Sequence, residues 1–319
     1  MEFYGLKKIS SPCSDLHEAS PYSLEQIIQK GKSSVRVIKA FAPETNETVA
    51  IKLFPKTVDG QCLQAFINEE KALEGLSHQH ILNYREIYKD AIVKVETGKF
   101  VEYSAIVMDY VEFGDLYNLI FQKAFSEKLA RSVFKQMITV TQYLHNQDLS
   151  HLDLKLENFL ITPQEGIKLI DFESCQKITK NGKILAKGTP GYRAPEVLRE
   201  EFEDPKTLDI YSLGVVLFMM VAGSPPYTES QENGKWKFDK YYEALRNDVK
   251  KFWGAHERYR VSEGKEAFSK EFKEMIESML NVNAKKRPKI EELIRLNWFK
   301  GEMYTDKELE EELSQYFTG

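Results

Sequence analysis

Apolar positions change their period about a third of the way along the chain. The first part reads as short strands separated by turns: YSLEQIIQ from Tyr22, SSVRVIKAFA from Ser33, and ETVAIKLF from Glu47 after the turn-like PETNE. A helix is predicted next, over CLQAFINEEKALEGLS, with Leu63, Phe66, Leu73 and Leu76 near a common face. Two further strands are expected at ILNYREIYKDAIVKVE and EYSAIVMDYV. From about Asp115 the spacing turns helical. Phe134, Met137, Ile138, Thr141 and Leu144 fall on one stripe, and KEFKEMIESMLNV repeats the pattern. Between Lys235 and Trp253, residues Tyr241, Leu245, Val249 and Trp253 recur every four positions, as core packing or as a docking face. A small β-rich lobe is therefore expected before a larger helical one, joined near 109–114, and a cleft between such lobes commonly holds a ligand.

Composition narrows the classes. The chain has 319 residues, enough for about two domains, and 42% hydrophobic with 29% charged residues is ordinary for a globular protein. A formal net charge of −5 argues against nucleic acid as the main partner and favours basic peptides. The longest apolar stretch, 213–222, is about half a bilayer span, and MEFYGLKKISSPCSD has no apolar run of a signal peptide. Three unclustered cysteines, Cys13, Cys62 and Cys175, give neither a disulfide framework nor a metal spacing. The expectation is a protein of a reducing compartment, cytoplasmic or nuclear, without membrane contact, whose oligomeric state the sequence leaves open. No internal repeat is present.

The chemistry concentrates in HLDLKLENFLI, 151–161, which sets an acid, a lysine and an amide at fixed offsets: Asp153, Lys155 and Asn158. Phosphoryl transfer needs such a set: an acid for the hydroxyl proton, a cation for the γ-phosphate, and a neutral metal ligand. Further on, IKLIDFES ends a strand-like run with Asp171, and GTPGYRAPE follows at 188–196. Either of the first two segments alone could be polar groups in an unrelated loop. All three in order are hard to obtain that way.

Together these segments resemble the eukaryotic protein kinase catalytic domain, from about residue 22 to 299. The resemblance implies an α+β, bilobal fold: a small antiparallel lobe (22–108) with one main helix, a hinge (109–114) and a larger helical lobe (115–299). An N-terminal extension (1–21) and an acidic helical tail (300–319) flank it. VAIK ends on Lys52, similar to the lysine that holds the α- and β-phosphates of ATP, and Glu69 matches its helical partner, with Glu70 one residue off that face. The family's nucleotide contacts fall on Gln29, Gly31, Ser34, Ala50, Met108, Asp109, Val111 and Leu160, with Asp115 at the ribose. Asn158 and Asp171 would hold magnesium, with manganese as the alternative. Asp209 would tie a central helix to the catalytic loop, and Arg287 would partner Glu196. Lys155 with Thr189 resembles serine/threonine rather than tyrosine kinases. The motifs lean toward the calcium/calmodulin-dependent group, although no EF-hand loop follows and the tail is acidic.

Four departures stand out. In IQKGKSSV only Gly31 survives of three glycines, Gln29 and Ser34 taking the other places, so phosphates should be held less closely. Glu173 replaces the glycine after Asp171–Phe172. It should make that segment flip less readily, if it does not simply face solvent or draw in a cation. Leu152 stands where an arginine usually grips an activation-segment phosphate, and Leu185 where that phosphate is usually carried. No serine, threonine or tyrosine lies between Thr179 and Thr189. The two absences agree, and imply an enzyme not switched by phosphorylation there.

Smaller signals are weighed beside these. His151, His78 and His80 read as structural, and Cys175 carries no sign of a lowered pKa. Glu157 and Asp115 resemble an acidic pair that recognises basic substrates, while Asp115 is equally suited to ribose. Thr305 to Glu308 forms a capping box ahead of Leu309, Leu313 and Phe317. Two functions follow: an active serine/threonine protein kinase acting on protein or peptide substrates, or a pseudokinase serving as a nucleotide-binding or scaffold module. The depleted glycine loop and Glu173 favour the second. Lys52, Glu69, Asp153, Lys155, Asn158 and Asp171 favour the first, since a scaffold has no physical need of all six.

Overall fold

Alternating burial builds the first unit. The structure, a computed structural model, describes residues 3–8, 22–30, 34–56, 60–95, 99–178, 188–199 and 204–317. Gly31, Thr179 and Leu185, with most of the 1–21 segment, lie outside the described residues. Contacts divide the chain into two compact units, residues 1–112 with 171–173, and the remainder.

In the first unit, β1 (Phe3–Lys8), β2 (Ser23–Lys30), β3 (Arg36–Ala42), β4 (Glu47–Pro55), β5 (Tyr84–Val95) and β6 (Phe100–Asp109) form one antiparallel sheet in the order β1-β5-β6-β4-β3-β2. Every second residue of β3 is buried, and Ile38, Val49, Ile51, Leu53, Val93, Ala105 and Val107 make one core. The sixth strand, β1, comes from the segment read as an N-terminal extension and pairs with β5.

Helix α1 (Gly60–Leu73) forms where a helix is expected, but on a different face. Cys62, Phe66, Glu69 and Ala72 are buried, whereas Leu63 is 49% exposed. Hydrophobicity alone misplaces this stripe, because the acid Glu69 is turned inward by a cation on β4. Phe54 and Phe66 meet edge to face at 5.5 Å and lock the helix to the sheet.

The second unit is mostly helical. Its helices are α2 (Leu116–Gln122), α3 (Glu127–Asn146), α4 (Pro195–Arg199), α5 (Lys206–Ala222), α6 (Lys240–Asn247), α7 (Val249–Ser262), α8 (Lys270–Met279), α9 (Ile290–Leu293) and α10 (Asp306–Ser314). Small ladders join β7 (Leu149–Ser150) to β10 (Gln176–Lys177), β8 (Phe159–Thr162) to β9 (Gly166–Leu169), and β11 (Glu229–Glu232) to β12 (Lys235–Phe238). The predicted stripe of α3 is buried along its length. Helix α5 is buried on every side from Leu208 onward, as a central core helix must be. At Gly214 a side chain would meet Met279 Cβ at 2.9 Å, so the glycine sets how closely α5 approaches α8. The four-residue recurrence between Tyr241 and Trp253 does not form one helix. Asp239 and Asp248 cap two separate ones, and Tyr242, Ala244, Phe252 and Trp253 are buried instead of Tyr241, Leu245 and Val249. The tail helix α10 carries its capping box, buries Leu309 and Leu313, and brings Phe317 to 4.6 Å from Phe113.

Candidate active site

The first cluster is built on β4. Lys52 lies opposite Val37 of β3 and Ile106 of β6, so its ammonium is held by a strand paired on both sides. Nζ reaches Glu69 Oε2 at 2.7 Å, Asp171 Oδ1 at 2.8 Å and Glu173 Oε1 at 2.8 Å. Three carboxylates thus share one buried ammonium. Burial alone would lower the Lys52 pKa, but Asp171, Glu69 and Glu173 together hold it well above the usual lysine value. Burial, reinforced by repulsion from Asp171 and Glu173, pushes the Glu69 carboxyl up to about 7 despite the Lys52 charge. Glu173 reaches the lysine while its side chain stays 32% exposed, and oxygens of Glu69, Asp171 and Glu173 all lie within 4.8 Å of one another.

The segment carrying Asp171 is pinned at several points. Asp171 has φ of +66°, a left-handed conformation that Asp tolerates better than most residues. The Glu173 carbonyl accepts from Asn68 Nδ2 at 3.1 Å, and Phe172 is fully buried with its ring edge-on to Tyr84. Positive φ falls on Asp171 and not on Glu173, so this arrangement does not call for a glycine at 173.

Elsewhere in this unit, Ala50 pairs with Met108 and both are buried. The Asp109 N–H donates to Asn83 O at 3.0 Å, and its carboxylate takes Arg85 Nε at 2.5 Å. Gln29 is exposed on β2, Ser34 is exposed at φ +69°, and Val111 is half-buried.

The second cluster follows β7. Leu152 adopts φ of +65°, unusual for a leucine, and is held there from below. Asp209 on α5, wholly buried, accepts from the Leu152 N–H at 2.8 Å and the His151 N–H at 3.0 Å, and pairs with His145 Nε2 at 2.9 Å. One carboxylate thereby fixes a strained loop. Asp153 then presents its oxygens to Lys155 Nζ (2.7 Å) and to the Thr189 hydroxyl (2.6 Å), and Lys155 also reaches Thr189 Oγ1 at 3.1 Å. Asn158, in the short helical turn 156–158, donates Nδ2 to Asp153 O at 2.8 Å, which leaves its amide oxygen as the donor atom for a cation. His151 is fully buried, with Nε2 3.2 Å from Ile170 O, as a structural histidine should be.

Asp115 is the N-cap of α2, accepting from the Asn118 N–H at 2.9 Å, and bridges to Leu160. Burial raises its pKa. Glu157 accepts from the Tyr192 hydroxyl at 3.0 Å. Arg287 grips Glu196 through both terminal nitrogens, at 2.5 and 2.9 Å, in a buried pair. Burial pushes the Cys175 thiol up, away from reactivity. Three participants escaped sequence reasoning. Asn68 and Glu229 belong to no motif with fixed offsets, and Tyr192, although inside GTPGYRAPE, was given no role there; their partners across the fold give them meaning.

Comparison with known proteins identifies the domain. The protein kinase domain model matches residues 22–299. Among curated relatives, the chain is 30% identical over 282 residues to testis-specific serine/threonine-protein kinase 2 of Mus musculus, covering 85% of this chain and 72% of the relative. It is 29% identical over 301 residues to calcium-dependent protein kinase 5 of Plasmodium falciparum, covering 90% of this chain and 46% of the relative. For CBL-interacting protein kinase 12 of Oryza sativa the identity is 30% over 285 residues, covering 88% and 47%. The chain thus spans about half the length of the latter two. With the family model covering most of its length and the lysine, acid and amide positions held as described, the chain belongs to the protein kinase domain family.

Proposed function

We propose that the chain transfers the γ-phosphoryl group of ATP to serine and threonine hydroxyls of proteins, without requiring phosphorylation of its own activation segment. The observation that carries this reading is the triangle of Asp153, Lys155 and Thr189. A carboxylate, an ammonium and a hydroxyl meet within hydrogen-bonding distance. An incoming alcohol would replace the Thr189 contact on Asp153, which orients it and takes its proton. Lys155 would neutralise charge building on the transferred group, and Lys52, kept in place by Glu69, would hold the α- and β-phosphates. Gln29, Gly31, Ser34, Ala50, Met108, Asp109, Val111, Asp115 and Leu160 are assigned to the nucleotide.

The donors offered by Asn158 and Asp171, an amide oxygen and a carboxylate, are the hard oxygen ligands that magnesium takes, and manganese suits them as well. A metal held there would supply positive charge to the phosphates. Asp171 would hold it through its carboxylate, whose Oδ1 contacts Lys52 here, and Asn158 through its amide oxygen, oriented by the bond to Asp153 O.

A basic stretch in the protein substrate suits Glu157, although Tyr192 already occupies one of its oxygens. Among the described residues no helix is long and apolar enough to cross a membrane. We assign the activity to the cytoplasm, with the nucleus as the alternative, and to no nucleic-acid partner. The direct test is radiolabelled transfer from ATP to a basic protein with magnesium, then manganese, beside Asp171→Asn. Transfer that collapses in the variant supports the kinase reading. No transfer, with ATP still raising the melting temperature, supports the nucleotide-binding pseudokinase.

A further inference from the structure

Residues 188–193 fold into a turn that touches the proposed base. The Thr189 carbonyl accepts from the Tyr192 and Arg193 N–H groups at 3.1 and 3.2 Å, and Thr189 Oγ1 donates to Asp153 at 2.6 Å. Gly188 and Gly191 both sit at positive φ, +61° and +88°. A turn carrying two glycines loses much backbone freedom on ordering, so something outside it must hold it.

That anchor is Glu229, the first residue of β11. Its side chain is fully buried and accepts from three donors of the turn: the Gly191 N–H at 2.9 Å, Arg193 Nε at 3.0 and 3.2 Å to its two oxygens, and Arg193 Nη2 at 2.5 Å. Trp236 on β12, opposite Gln231 of β11, lies over the Arg193 guanidinium at 4.4 Å and seals the pair from one side. A buried carboxylate is tolerated only when it is fully paired. Here all of that pairing is spent on one turn, and none of it on nucleotide or metal. A phosphate orders a segment in the same currency, by anionic oxygens that gather an arginine and backbone N–H groups.

We propose that Glu229, backed by Trp236, is a positioning residue for protein substrate: a permanent carboxylate, supplied by the β11–β12 hairpin, that keeps the 188–193 turn ordered without phosphorylation. Its effect on transfer rests on the kinase reading above. Its effect on the turn does not.

The test uses Glu229→Gln, Arg193→Lys and Trp236→Ala in the full chain, with two readouts. Hydrogen exchange should quicken at the Gly191 and Arg193 amides, tenfold or more in Glu229→Gln, with α3 and α5 unchanged. The KM for a protein substrate should rise about tenfold or more, the scale on which misplacement of reacting groups acts. The KM for ATP should stay within about twofold of wild type, because Lys52 and its carboxylates do not touch the pair. Arg193→Lys keeps the charge but loses the fork, and should fall between wild type and Glu229→Gln. Trp236 is partly exposed, so its removal leaves the fold intact and should raise the protein KM about threefold. Exchange that is unchanged in Glu229→Gln and Trp236→Ala overturns the proposal. So does a lower kcat with unchanged KM and faster exchange throughout the chain, the signature of a merely structural pair. If wild type transfers no phosphate, the kinase reading fails, and the exchange measurement alone decides whether Glu229 orders the turn.

Discussion

Glu173 is where this chain differs most in chemistry from a plain kinase motif, and its consequence is electrostatic. It adds a third carboxylate to Lys52, and that charge helps push Glu69 up to about 7. In the free protein Glu69 therefore takes up a proton as pH falls through about 7, and its grip on Lys52 weakens. Because kcat/KM reports ionisations of the free enzyme, the acid limb of kcat/KM for ATP should lie near that value. Glu173→Gln removes one negative charge, lowers the Glu69 pKa, and should move the limb to lower pH. A pH profile identical to wild type would contradict the account of Lys52 and its three carboxylates. Asp153→Asn should lower transfer about 10²-fold or more with a smaller effect on the KM for ATP, measured by steady-state kinetics. These residues were legible in the sequence because kinase chemistry imposes fixed offsets on them. The orientation of Glu173 was not, since only the fold brings it to the lysine.

At the scale of elements, the strands and the long helix α3 could be read from periodicity, which follows burial directly. Helix α1 was misread because its buried face includes Glu69, a charge that only its ion pair makes tolerable there. The stripe from Tyr241 to Trp253 was misread because Asp239 and Asp248 stop and restart the helix, and caps outweigh a hydrophobic period. The β11–β12 hairpin gave no signal of its role, since Glu229 finds Arg193 36 residues away. Two predictions belong here. Asp209→Asn weakens the hold on the left-handed Leu152, and should cost about 1–3 kcal/mol in a denaturant melt together with a loss in kcat. Arg287→Ala leaves Glu196 buried without its partner, and should cost about 3–5 kcal/mol by the same measurement.

For the whole molecule, the departures form one pattern. Leu152 is buried and its carbonyl approaches Gly188, so the place of the usual phosphate-gripping arginine is filled by packing. Thr189 is bound to Asp153, and the turn that carries it is tied down by a carboxylate of the chain itself. On the proposed reading, the 188–193 turn is ordered by these contacts with no phosphate among them. The most direct measurement is the rate of phosphate transfer by protein made in bacteria and treated with phosphatase, with mass spectrometry reading residues 179–189. The account predicts transfer at the untreated rate from protein whose segment carries no phosphate. Transfer that requires stoichiometric phosphate on Thr179 would contradict it.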